Sequence, residues 1–387
     1  MDIQQLDKRY IAHTYQRYPL EIVGGKGSVL IGRDGKEYID LGSGIAVNIF
    51  GIADEPWQTA VTEQLARFQH TSNLYYSEPT VKLAEMLCQR TGMQNVFFSN
   101  SGAEANECAI KAARKWSAEK KGKEYFNIIT LQSSFHGRTL ATLSATGQDV
   151  YHQDYHPLPG GFLHTKVGDP SGLEQLIQDN PCAAIMFEVV QGEGGVMPIG
   201  QDYANSLKDL AERHNLLLIA DEVQLGNGRS GNLFGYMEYG LQPDIVTTAK
   251  GLGGGLPIGA TLFGKRTAQV LQPGSHGSTF GGNSVCCAGA VNILSRIDDA
   301  LLAGVRQRSE YIRKALANAK GIRSVSGMGL MLGLEIEKPA REFAELALKK
   351  GVLVTTAKQK IRLLPALNIP MEQLKIAVQI LKDCAAE

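Results

Sequence analysis

Lys250 and Asp221 are the two residues whose type and placement could do chemistry together. Lys250 stands in Thr247-Thr-Ala-Lys-Gly-Leu-Gly-Gly-Gly, just past an apolar run beginning at Ile245. Asp221, 29 residues earlier, closes the aliphatic run Leu216-Leu-Leu-Ile-Ala220 and opens Asp221-Glu-Val-Gln224. A lysine and an aspartate at the ends of buried strands suit a pyridoxal phosphate site. The amine can form a Schiff base, and the carboxylate can keep a pyridine nitrogen protonated. Each has a plainer alternative when taken alone. A lysine at a strand end is commonly a solvated charge, and an aspartate there can cap a helix or bind a metal. A half-buried carboxylate still needs a partner, because burying it unpaired costs several kcal/mol.

Other groups join this pair. Ser101, Gly102 and Ala103 open a helix candidate directly after a strand candidate. They offer free N–H groups, a hydroxyl and the positive end of a helix dipole to a phosphate. The same residues could form only a Ser-x-x-Glu cap with Glu104. In Ser133-Ser-Phe-His-Gly-Arg-Thr139, Phe135 could stack on a flat ring, with His136 beside it, and Arg138 could clasp a carboxylate. Core packing and a surface ion pair are the alternatives. Glu188 and Glu193 follow another apolar run, and Arg362 in Ile361-Arg-Leu-Leu-Pro365 is a second candidate carboxylate clamp. Two such arginines suit a dicarboxylate such as 2-oxoglutarate.

The elements that must position these groups alternate along the chain. The periodicity predicts helices over 78–91 and 101–120, and strands over 95–98, 126–131, 183–190, 216–220, 245–248 and 258–263. Several strands are continuous apolar runs, as in a parallel sheet covered on both faces. This predicts an α/β fold with ligand groups at the strand ends. Beyond it come a long helix over 296–320, a strand from Gly329, a helix over 341–350, a strand over 352–355 and a terminal helix over 371–385. They read as a smaller α+β domain. A hairpin at Arg33-Asp-Gly-Lys36 could add N-terminal strands to it. The expected division is 1–45 joining the small domain, 46–290 as the large domain, and 291–387 as the small domain.

Bulk properties exclude several classes. Basic and acidic residues balance at 39 each in 387 residues, which leaves no electrostatic footprint for nucleic acid or an anionic membrane. No run approaches the ~18 apolar residues of a membrane span. The N-terminal stretch is too polar for a signal peptide, and the six cysteines form no C-x-x-C pair, so a cytoplasmic protein with reduced thiols is expected. The eight histidines show no metal-ligand spacing, so no metal is expected. Neither a nucleophile elbow nor a Walker loop occurs.

The chain resembles the class III, fold-type I aminotransferases, and within them the branch acting on N-acetylornithine. The matching phrases are Asn100-Ser-Gly-Ala-Glu-Ala-Asn-Glu, Phe135-His-Gly-Arg-Thr-Leu-Ala-Thr-Leu-Ser-Ala-Thr-Gly and Val190-Gln-Gly-Glu-Gly-Gly-Val. Asp221-Glu-Val-Gln, Ala249-Lys-Gly-Leu-Gly-Gly-Gly-Leu-Pro-Ile-Gly-Ala, His276-Gly-Ser-Thr-Phe-Gly-Gly-Asn and Arg362-Leu-Leu-Pro follow in the family order. The resemblance implies a seven-stranded-type, mostly parallel sheet in the large domain. It makes Lys250 the Schiff-base lysine and proton carrier, Asp221 the partner of the ring nitrogen, and Val223 the residue beneath the ring. Gln224 would reach the ring hydroxyl, Phe135 would stack, and Ser101, Gly102 and Ala103 would hold the phosphate. Thr279 would serve the active site of a second subunit, which implies a homodimer with shared sites.

Arg138 and Arg362 match two carboxylate-binding arginines, and Glu193 the glutamate that masks Arg362 until a dicarboxylate arrives. Gly44 stands where ornithine-specific relatives have a tyrosine that grips a free amino-acid end. The space favours an acylated amine, with acetyl and succinyl unresolved. Two departures occur: Asn48-Ile-Phe-Gly-Ile lacks the histidine common after that glycine, and Leu225 stands where threonine is common. The implied reaction is transamination of N-acetylornithine with 2-oxoglutarate. The alternatives are an enzyme for ornithine, succinylornithine, 4-aminobutyrate or an N-acyl-lysine, and a non-catalytic cofactor-binding protein. A decarboxylase or racemase of the same fold fits the paired arginines less well.

Overall fold

Alternation along single strands explains how the central sheet is covered. In the strand Leu217–Asp221, Leu217 and Ile219 face one apolar cluster while Leu218 and Ala220 face another. In Cys182–Phe187, Ala184 and Met186 join the first cluster, and Ile185 and Phe187 the second. Side chains of successive strand residues point to opposite faces, so a strand apolar throughout must be buried on both. The 19-residue helix Gly102–Lys120 covers one face with Ala109, Ala112, Ala113 and Trp116. Helix Gln201–Arg213 covers the other with Ala204, Leu207 and Leu210.

The computed structural model describes residues 2–387. Its main sheet has seven strands. From one edge to the other they run Asn95–Ser99, Gly259–Phe263, Ile245–Thr248, Leu217–Asp221, Cys182–Phe187, Asn127–Leu131 and Phe162–Thr165. Gly259–Phe263 is antiparallel to both neighbours, and the remaining pairings are parallel. Asp221 is in register with Thr247, so Asp221 and Lys250 emerge at the same end of adjacent strands. Placement of both groups at one strand end is what the α/β reading expects.

A second, antiparallel sheet joins Ile322–Met328, Met331–Ile336, Lys360–Leu363 and Thr355–Ala357 in that order. The N-terminal hairpin forms around Gly35 (φ 78°), and its strand Glu37–Asp40 pairs in parallel with Val352–Leu353. Buried Arg229 ties the two large parts together by donating to the carbonyls of Leu330 (3.0 Å) and Pro365 (2.9 Å). Burial lowers its pKa to about 9. Among the described residues no helix is long and apolar enough to cross a membrane.

One expected element breaks where the sequence looks continuous, and another starts later than expected. The strand expected over 183–190 stops at Phe187, and Val190–Gln191 pairs instead with Met197–Pro198. The cause is Glu188, whose carboxylate turns inward to accept from the N–H of Phe135 at 2.8 Å and of Gly192 at 3.4 Å. A separate helix, Ser284–Ser295, precedes the one expected over 296–320, which spans only Asp299–Leu316. Asp298 sets the start of the second one by capping it, accepting from Leu301 N at 2.8 Å. The boundary expected near 290 falls inside the first of these helices.

Candidate active site

Asp221 is 5 % exposed, and its carboxylate accepts three hydrogen bonds. Oδ1 accepts from Val223 N (3.0 Å), while Oδ2 accepts from Asn106 Nδ2 (2.8 Å) and His136 Nδ1 (2.7 Å). An ionised carboxylate has about four acceptor positions, so one remains for a donor in the pocket that Asp221 lines. Asn106 is fixed in turn by Thr247, whose hydroxyl donates to Asn106 Oδ1 at 2.7 Å. Burial opposes charge on His136, but the hydrogen bond and charge of Asp221 outweigh it and raise its pKa. His136 Nε2 is buried without a partner.

Lys250 begins a single 3-10 turn with φ 44°, a conformation that non-glycine residues avoid and that concentrates at functional sites. Burial of the ammonium holds its pKa below the ordinary lysine value, against the pull of Glu193 and Asp221. A depressed lysine pKa is what a neutral, nucleophilic amine requires. The same pocket, about 470 Å³ in volume, is lined by Ser101, Gly102, Ala103, Phe135, His136, Arg138, Asp221, Val223, Gln224 and Lys250.

The lining fits a flat phosphorylated ring. Ser101 caps the helix, accepting from Glu104 N at 3.1 Å, so the cap expected from the sequence coexists with free N–H groups in the first turn. Glu104 reaches back to Asn100 N at 2.8 Å. A Cβ at Gly102 would lie 2.5 Å from Val223 Cγ1, so only glycine lets the first turn of this helix approach Val223 so closely. Phe135 lines the pocket with Val223, and the spare acceptor of Asp221 suits a pyridinium N–H.

The two arginines sit differently. Arg138 is exposed at the pocket rim, with its guanidinium 4.0 Å from the centroid of the Tyr151 ring. Arg362 is 2 % exposed and donates from Nη1 to Glu193 Oε1 (2.5 Å) and Gln224 Oε1 (3.0 Å). Gln224 Nε2 also donates to Glu193 Oε1 at 3.3 Å. Burial alone would raise the Glu193 pKa, but the charge and hydrogen bond of Arg362 hold it below the usual carboxylate value. Glu193 and Arg362 therefore join the pocket through Gln224.

The family model for class III aminotransferases matches residues 10–385. The chain is a class III aminotransferase. Among its relatives, the acetylornithine aminotransferase of Haemophilus ducreyi is 46 % identical, with 100 % of this chain and 98 % of that one covered. The succinylornithine transaminase of Salmonella paratyphi A is 44 % identical, covering 94 % and 92 %. The solved N-acetylornithine aminotransferase of Stenotrophomonas maltophilia K279a superposes with a TM-score of 0.86 at 34 % identity, covering 99 % and 98 %. This class III aminotransferase accordingly has the fold-type I architecture and takes pyridoxal phosphate as its cofactor.

Two of the expected site residues lie elsewhere in the aminotransferase. Thr279 is exposed in the loop after His276 and does not line the pocket of its own chain. Gly44 is also exposed and outside the lining, although Val47 nearby belongs to it. Gly44 sits in a run in which Ser43, Gly44, Ile45 and Ala46 all have φ between 42° and 65°. The backbone there is left-handed whether or not the residue is glycine, so conformation alone does not explain it.

Sequence reasoning missed Asn106 and left Glu188 without a role. Asn106 is a polar residue on the buried face that also carries Ala105, Ala109 and Ala113. Glu188 lines the pocket, and burial pushes its pKa up to about 7. Among the described residues no group of three or more His, Cys, Asp or Glu could hold a metal ion.

Proposed function

We propose that this enzyme transfers the δ-amino group of N-acetylornithine to 2-oxoglutarate, giving N-acetylglutamate 5-semialdehyde and glutamate, as a step of arginine biosynthesis in the cytoplasm. The observation that carries the reading is the unlike state of the two arginines: one free at the rim, the other masked by Glu193. A donor with one carboxylate and an acceptor with two need such an arrangement. The names of the relatives support the acylated donor.

In this reading Arg138 holds a carboxylate in both half-reactions. Glu193 keeps Arg362 neutralised while the mono-carboxylate donor is bound, and releases it to the second carboxylate of 2-oxoglutarate. Lys250 Nζ, its pKa lowered by burial, takes the proton from the amine-bearing carbon. Asp221, braced by His136 and Asn106, holds the proton on the ring nitrogen. Pyridoxal phosphate, when bound, supplies the aldehyde that captures the amine and the ring that stores the electron pair. Ser101, Gly102 and Ala103 hold its phosphate and Phe135 and Val223 flank its ring, with Gln224 toward the ring hydroxyl. Thr279 reaches the phosphate of a second copy, so the working unit is a homodimer. Its exposure outside its own pocket supports that assignment. Gly44 leaves room for the acyl group.

A half-reaction on the cofactor-loaded enzyme tests this. N-acetylornithine alone should bleach the cofactor band at the visible edge, and 2-oxoglutarate should restore it. Ornithine performing as well as its acetyl form would remove the argument from Gly44, and equal performance by succinylornithine would widen the acyl group. Turnover surviving in Lys250→Ala would overturn the reading.

A further inference from the structure

Arg138 has an unusual support for a charged side chain at a ligand pocket. Among the described residues its guanidinium makes no hydrogen bond and no ion pair, whereas Arg296 is held by Asp54 and Arg114 by the carbonyls of Phe126 and Gly160. Its contacts are aromatic: the Tyr151 ring at 4.0 Å and the Phe135 ring at 5.5 Å. The two rings meet edge to face, at 78° and 5.9 Å. A guanidinium lying on a ring face is held by its flat side, and this leaves its N–H edges unspent. Those edges make the paired hydrogen bonds to a carboxylate.

The platform is itself fixed. Tyr151 ends the short turn Asp149–Tyr151, and its N–H donates to Gln148 O at 3.0 Å. The segment before it is laced to the segment before Phe135. Ser133 N donates to Gly147 O (2.7 Å), Gly147 N to Ser134 Oγ (3.0 Å), and Gln148 Nε2 to Ser134 O (3.0 Å). Ring and arginine therefore belong to one cross-linked unit. Tyr151 does not line the pocket, and its hydroxyl makes no hydrogen bond among the described residues, so only its ring face is engaged.

We infer that Tyr151 is a positioning residue for substrate recognition: its ring orients Arg138 so that the guanidinium edge faces the substrate carboxylate. This rests on Arg138 being the carboxylate clamp proposed above. An unsupported arginine at an exposed rim samples many rotamers and must be ordered by each substrate that binds. The stacked one is ordered in advance, and the gain appears as affinity for any carboxylate ligand.

The test uses cofactor-loaded enzyme with Tyr151→Leu, Tyr151→Phe and Arg138→Met. The donors are N-acetylornithine and N-acetyl-1,4-diaminobutane, the same molecule without its carboxylate. Tyr151→Leu should raise KM roughly threefold to tenfold for N-acetylornithine and for 2-oxoglutarate, with kcat nearly unchanged. Its kcat/KM for the carboxylate-free donor should match the unsubstituted enzyme. Tyr151→Phe, which keeps the ring, should restore KM.

Unchanged KM values in Tyr151→Leu alongside raised values in Arg138→Met would overturn the role of Tyr151 and leave Arg138 as the clamp. Equal losses with and without the carboxylate would overturn it in favour of general loosening around Phe135. A defect in Tyr151→Phe as large as in Tyr151→Leu would do so in favour of the hydroxyl. Unchanged KM in Arg138→Met would remove the clamp itself, and the inference with it.

Discussion

Arg138 and Arg362 are the same side chain in opposite circumstances. Arg138 sits at the rim on the loop after the strand Asn127–Leu131, stacked on an aromatic ring and free of any oxygen partner among the described residues. Arg362 sits in the strand Lys360–Leu363 of the second sheet, almost fully buried and bonded to Glu193 and Gln224. A guanidinium holds its charge strongly, so a buried one needs hydrogen-bond acceptors or a counter-charge, while an exposed one can wait in water. The contrast follows from burial, and in the proposed reading it divides the labour: one clamp open to every carboxylate, the other open only to a ligand that can displace a resident one.

The largest effect is expected from Arg138→Met. It should lower kcat/KM in both half-reactions by roughly tenfold to a hundredfold, since hydrogen bonds to a charged group are worth about 1.5–3 kcal/mol. Single-turnover rates with N-acetylornithine and with 2-oxoglutarate measure this, and a defect in only one half would break the comparison. Arg362→Met should weaken the 2-oxoglutarate half by a similar factor and spare the donor half. It should also lower the melting temperature, because Glu193 is left partly buried without its partner.

A smaller, opposite effect is expected from Glu193→Gln. With Arg362 no longer neutralised, N-acetylornithine should bind unproductively there. The donor half-reaction should slow several-fold while the 2-oxoglutarate half keeps its rate. Equal slowing of both halves would show that Glu193 is not a mask.

The smallest effect is one of pH. The folded-state pKa of Glu193 lies below its ordinary 4.5. Its pairing therefore adds stability above about pH 4.5 and loses it as pH falls through the lower, folded value. The melting-temperature difference between the unsubstituted enzyme and Glu193→Gln should stay level from about pH 6 to 9 and shrink below about 4.5. A difference that grows toward acid would contradict the direction of the shift.

Much of the site was legible because its residues sit at conspicuous places. Asp221 and Lys250 end aliphatic runs, and Ser101 to Ala103 stand where a strand gives way to a helix. The break at Glu188 and the later helix start at Asp299 were not legible. Apolar periodicity runs through both places, and the observed element ends come from one carboxylate bonding to Phe135, 53 positions away, and from a local cap at Asp298. Asn106 escaped notice because a polar residue in an alanine-rich helix looks solvent-facing until the buried face is known. Tyr151 carried no signal at all, since nothing in its surroundings in the chain marks the arginine it lies against.

The amino-acid sequence by itself determined which chemical groups are present, in what order, and on which kinds of element. Those depend on residue type and on patterns of a few positions. Only the tertiary structure decided which arginine is occupied and which is free. That turns on a bond between residues 169 positions apart and on how much water each guanidinium keeps, quantities that arise when distant segments pack together.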